Sequence, residues 1–92
     1  MIQSFADKDT EAFYNGELPR RFRGFAAQAE RRMNVLDAAT TLRDLANLPS
    51  NRLESLSGNR AGQRSIRINQ QWQICFVWKD DGPHDVEIVD CH

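Results

Sequence analysis

The hydrophobic period of this chain changes at Pro49, and that switch constrains the fold more than any single motif. From Arg20 to Ala39 the apolar residues Phe22, Phe25, Ala26, Ala29, Met33 and Leu36 recur at three- and four-residue spacings, the stripe of an amphipathic helix packed on a core. Pro19 sits where such a helix begins, and Arg21, Arg31 and Arg32 fall on its opposite face. Beyond Pro49 the pattern alternates instead, so the second half is expected to form strands.

The smaller elements follow from local signals. Met1 to Phe5 alternates weakly and suggests a short opening strand. Asp9 or Thr10 can cap a short helix carrying Ala12, Phe13 and Tyr14, which Gly16 ends. A second short helix is expected from Thr41 to Ala46, capped by Thr40 or Thr41 and stopped by Pro49. Leu53 and Leu56 bracket a short strand, followed by a turn-rich loop from Ser57 to Gly62. Arg64 to Asn69 places Ile66 and Ile68 on one face and Arg67 and Asn69 on the other. A turn over Asn69 to Gln71 then leads into a strand in which Trp72, Ile74, Phe76 and Trp78 share a face, completing a hairpin.

Asp80 to Pro83 reads as the next turn, and Val86 to His92 as the last strand. Val86, Ile88, Asp90 and His92 share one face of it, so Asp90 and His92 should emerge together. Trp72 and Phe76 read most simply as core residues, and Asn69 as a turn former. The expected architecture is α+β, an antiparallel-dominated sheet with N-terminal helices packed on one side. At 92 residues the chain is expected to be a single domain over 1–92.

A net charge of −1 conceals a strong asymmetry. Residues 20 to 67 hold ten arginines against four carboxylates, a surplus of six, whereas both flanks are acidic. A basic middle can offer nucleic acid a cationic surface without making the whole chain basic. Cys75 and Cys91 lie sixteen positions apart with no CxxC and no histidine pair at zinc spacing, so no metal site and no cofactor is expected. Cys75 is expected to be a buried thiol. The N-terminus reaches an acid by Asp7 without a long apolar stretch, so neither a signal peptide nor a membrane span is expected, and the chain is placed in the cytoplasm.

Taken together, the matched residues Leu53, Leu56, Gly58, Arg60, Gly62, Ser65, Ile66, Arg67, Asn69, Trp72, Ile74, Phe76, Asp90 and His92 form one extended pattern. With the opening Met1, Ile2, Ser4 and Phe5 and the run Leu36 to Ala39, this pattern resembles HigB-type toxins of the RelE/ParE superfamily over essentially the full length. The resemblance implies a RelE-like fold and a ribosome-dependent mRNA endonuclease. It also implies neutralisation by a HigA-like helix-turn-helix antitoxin, through which alone the chain would meet operator DNA.

Cutting RNA without a metal uses the substrate's own 2′-hydroxyl as nucleophile, which requires a base, an acid and a cation at the phosphorus. The candidates are His92 as acid or base, Asp90 to orient it or raise its pKa, Glu54 as base, and Arg67 as the catalytic cation. Arg60, Arg64 and Arg67 are the candidates for holding phosphate. Four positions depart from the family pattern: Ser57 for lysine, Asn59 for aspartate, Gln73 for arginine and Cys91 for tyrosine. Losing cations and a stacking ring implies weaker cleavage than in relatives that keep them. The competing readings are a non-catalytic antitoxin-binding module, a gyrase inhibitor like ParE toxins, and a regulator acting only in the antitoxin complex.

Overall fold

A computed structural model describes residues 1–90. Helix α1 (Lys8–Tyr14) is followed by a 3-10 segment, Arg20–Phe25, that runs directly into α2 (Ala26–Ala38), and then by α3 (Leu42–Ala46). After Pro49 come β1 (Glu54–Ser55), β2 (Arg64–Arg67), β3 (Trp72–Lys79) and β4 (Gly82–Asp90). The strands form one sheet in the order β1-β2-β3-β4, antiparallel throughout, which with the helices gives the expected α+β arrangement. Among the described residues no helix is long and apolar enough to cross a membrane.

The helical stripe is real, but its first turn is tighter than the spacing suggested. Phe22 and Phe25 are three residues apart, which suits a 3-10 turn as well as an α-turn, and the intervening Gly24 disfavours α-helix. The α-helix starts only at Ala26, and Ala29, Met33 and Leu36 continue the buried line against Ile66, Ile74, Phe76, Val86 and Ile88 of the sheet. Phe25 stacks on Trp72 with ring centroids 4.5 Å apart, and Phe22 meets the same indole edge-on at 6.3 Å. Such pairs add roughly 0.5–1.5 kcal/mol each beyond the area they bury.

Helix α1 begins one turn-step earlier than its sequence signals indicated, with Asp7 at the N-cap. Asp7 makes no side-chain cap because its carboxylate receives Arg21 at 2.6 Å, while Asp9 receives the same guanidinium at 2.9 Å. Thr10 is fully buried and its Oγ1 accepts the Ile88 N–H at 3.1 Å, tying α1 to β4. At α3 the expected cap holds. Thr41 Oγ1 accepts the Asp44 N–H, and the Asp44 carboxylate accepts the N–H groups of Thr40 and Thr41, a capping box.

The opening strand reduces to a single parallel bridge between Phe5 and Val86. Gly82 and Pro83 belong to β4 rather than to the turn, which is made by Asp80 and Asp81 alone. Pro83 is tolerated there because, among the described residues, β4 carries no fifth long strand on its outer side, and its carbonyl accepts the Gln3 N–H at 2.9 Å. Between the pairs Cys75–Glu87 and Val77–His84 the register slips by one residue, a bulge at which Asp85 adopts φ +52°. Asn69 is the turn former expected, its Oδ1 accepting the N–H groups of Gln71 and Trp72.

Candidate functional site

The sheet has a helix-covered face and an open one, and strand alternation decides which side chains reach the open one. Ile66, Ile74 and Ile88 point to the helices and are fully buried. The residues between them form rows across the opposite face: Glu54, Ser65, Cys75 and Glu87 in one, then Arg67, Gln73 and Val89 in the next. At one end of these rows Arg52, Glu54, Leu56, Ser65, Arg67 and Gln73 line a cavity of about 300 Å³.

Arg67 and Glu54, both candidates from the sequence, line this one recess, Arg67 half-buried on β2 and Glu54 exposed on β1. Arg60 belongs to the same face but is engaged. Its Nη1 donates to Glu87 Oε1 at 3.2 Å and to Gln63 Oε1 at 3.1 Å, so the side chain links the loop before β2 to β4. Ser65 and Cys75, in the row that ends at Glu87, are both buried despite lying on the open face.

Two other candidates lie elsewhere. Arg64 is three residues from Arg67 and therefore leaves the opposite face, where its Nη1 donates to Ser55 Oγ at 2.8 Å. Asp90 pairs with Trp72 across β3 and shares the helix-side phase of Ile88, and its carboxylate accepts the Gln71 Nε2–H at 3.1 Å. The three arginines expected to hold phosphate therefore do not converge, and Asp90 is on the other side of the sheet from the Arg67 cavity. His92 and Cys91 lie outside the described residues.

Arg52 is the cavity residue that the sequence did not single out. The available signal was its spacing, since Arg52, Glu54 and Leu56 are two apart and would share a face in an extended strand. Its backbone is left-handed, φ 47° and ψ 55°, at the end of a 3-10 turn over Pro49–Asn51. A larger hollow of about 420 Å³ between α1 and α2 contains Glu17 and Glu30 and none of the candidate residues. Among the described residues no cluster of three or more histidine, cysteine, aspartate or glutamate side chains is placed to hold a metal ion.

Chemically, the open-face cavity pairs guanidinium donors with a carboxylate acceptor and a hydroxyl. Guanidinium forks match phosphate oxygens geometrically, and an exposed carboxylate can take a proton. The sequence matches, over residues 3–92, the model of a family described as the RelE-like toxin of the type II toxin-antitoxin system HigB. A curated relative, Toxin HigB-1 of Vibrio cholerae serotype O1, is 39% identical over 84 residues, covering 87% of this chain and 86% of the relative.

Proposed function

Because the chain belongs to the HigB-like family of RelE-like toxins of type II toxin–antitoxin systems, we propose that it is a metal-independent endoribonuclease that cuts mRNA on the ribosome until a HigA-like helix-turn-helix antitoxin neutralises it. The observation that carries the reading is the shared cavity of Arg67 and Glu54 on the open sheet face. That pairing supplies a cation and a base within one recess large enough for a phosphodiester linkage.

In this reading the 2′-oxygen attacks the adjacent phosphorus as Glu54 takes its proton, and the P–O5′ bond breaks with a proton passing to the leaving oxygen from solvent. Arg67 stabilises the charge that builds on the non-bridging oxygens. Asp90, on the opposite face, acts as a positioning residue at the end of β4 through Gln71 rather than as a proton carrier. The substitution pattern lowers the rate: Gln73 lines the cavity where relatives carry arginine, which leaves one guanidinium fewer at the phosphate.

The test is induced expression without antitoxin followed by mapping of mRNA 5′ ends. The native chain should cut ribosome-bound mRNA weakly, Arg67→Ala should lose about 10²-fold, and Glu54→Gln should lose the base. A variant carrying Ser57→Lys, Gln73→Arg and Cys91→Tyr should cut faster than the native chain. Cleavage by none of them, with arrest of DNA replication instead, would replace this reading with gyrase inhibition.

A further inference from the structure

We infer that Arg52 is a second phosphate-gripping cation of the open-face cavity, held in position by a buried anchor at Asn51; the inference rests on the RNA-cleaving reading of that cavity. Arg52 lies two residues before Glu54, and the antiparallel register Glu54–Ser65 and Ser55–Arg64, if continued, brings it opposite Arg67. The left-handed bend at Arg52 ends the strand before that pair forms a ladder, yet both side chains line the same recess.

Two like charges lining one recess repel. Among the described residues neither guanidinium is in an ion pair with a carboxylate, although arginines elsewhere in the chain are, as Arg21 is with Asp7 and Asp9 and Arg60 with Glu87. An anion between Arg52 and Arg67 would turn that repulsion into a clamp. An RNA phosphate has the charge and the oxygen geometry for it.

The backbone points the same way. A left-handed residue at the end of a turn is ordinarily glycine or asparagine, and an arginine there is disfavoured by its Cβ. The conformation persists because the preceding residue is fixed. Asn51 is fully buried, its Nδ2 donates to the Leu45 carbonyl at 3.0 Å, and its Oδ1 accepts from Arg32 Nη1 at 2.6 Å. With both ends of the Asn51 amide occupied, the direction in which the chain leaves it is set, and Arg52 is delivered to the cavity mouth. Strain held in place by surrounding structure is a recurrent property of ligand-gripping positions. Arg52 also restores to the cavity a cation that Gln73 does not supply.

The experiment is binding of a short, fluorescent, 2′-O-methylated oligoribonucleotide, which cannot be cut through its 2′-oxygen, followed by anisotropy across a salt titration. Arg52→Gly suits the left-handed backbone, so it separates the side chain from the fold. It should weaken binding roughly tenfold and flatten the logarithmic salt slope by about 0.7, the increment of one phosphate contact on a single strand. Arg52→Lys should keep the slope and recover most of the affinity. Arg31→Gln, which removes one charge from an exposed position on α2, should leave both unchanged.

Native affinity and slope in Arg52→Gly, or an equal loss in Arg31→Gln, would overturn the assignment. Should Arg67→Ala weaken binding while Arg52→Gly does not, Arg52 alone is excluded and the cavity reading stands. If the native chain neither binds the oligoribonucleotide nor cuts mRNA, the RNA reading falls and takes this inference with it.

Discussion

Arg60 and Glu87 meet across the open face of the sheet, Nη1 to Oε1 at 3.2 Å, so one of the arginines that the family pattern shares is neutralised by the chain itself. The two side chains remain 37% and 28% exposed, and pairs of that kind contribute only about 0–1 kcal/mol. Glu87→Gln should therefore leave the urea midpoint nearly unchanged. In the same variant Arg60 is released, and the salt slope of oligoribonucleotide binding should steepen by about 0.7. An unchanged slope would show that Arg60 has no access to RNA even when freed.

Asn51 bears more weight than any exposed arginine. Removing its amide leaves the Leu45 carbonyl and the Arg32 guanidinium without those partners, each loss costing about 1–3 kcal/mol. Asn51→Ala should lower stability by about 2–4 kcal/mol in urea denaturation, and the slope of that transition should not change.

Acid should act partly through helix α3. The Thr40 N–H, and after it the Thr40 hydroxyl and the Thr41 N–H, hold the Asp44 carboxyl below its ordinary value of 3.8. A carboxyl depressed in the folded state stabilises the fold fully above its unfolded pKa, and that contribution is lost as pH falls through the folded value. Melting temperatures of the native chain and Asp44→Asn should therefore differ most at neutral pH and converge toward pH 2. Asp81, depressed chiefly by its hydrogen bond from His84, behaves with the same sign. Parallel curves for Asp44→Asn and the native chain would show that the cap does not titrate with folding.

Two glycines separate backbone strain from steric collision. Gly58 has φ +62° with open space where a Cβ would be, whereas Gly82 has φ +125° and a Cβ there would stand 2.7 Å from the Met1 carbonyl oxygen. Gly58→Ala should cost about 1 kcal/mol, and Gly82→Ala about 2–3 kcal/mol or more. Equal losses in thermal melts would mean that the N-terminal segment moves aside at little cost.

The parts of this fold that were legible in sequence are those set by periodicity. Phe22 to Leu36 marked the helical layer, and Ile66, Trp72, Ile74, Phe76, Val86 and Ile88 marked the covered sheet face, because burial repeats with the local geometry. The same alternation already carried the separation of Asp90 from Arg67, since Asp90 shares a phase with Val86 and Ile88 while Arg67 opposes Ile66. What alternation cannot carry is a residue whose conformation is imposed from outside its own strand. Arg52 has no preference for a left-handed backbone, and only the burial of Asn51, reached through Leu45 and Arg32, accounts for it. The bulge at Asp85 is of the same kind, fixed by Ser4, whose hydroxyl accepts the Asp85 N–H at 2.9 Å. Arg60 was visible as a cation but not as a paired one, because Glu87 is 27 residues away in sequence.

The outer edge of β4 is occupied along much of its length by the chain's own opening residues. Gln3 donates to the Pro83 carbonyl, Val86 donates to Ser4, Ala6 donates to Val86, and Thr10 receives Ile88. An intruding strand from another molecule finds few backbone groups there to pair with, and at the opposite end β1 offers only Glu54 and Ser55. Both borders thus discourage edge-to-edge growth of the sheet into fibres. Peeling the first six residues away would expose the β4 border as a template, so cleavage or displacement of that short segment should promote self-association through the sheet.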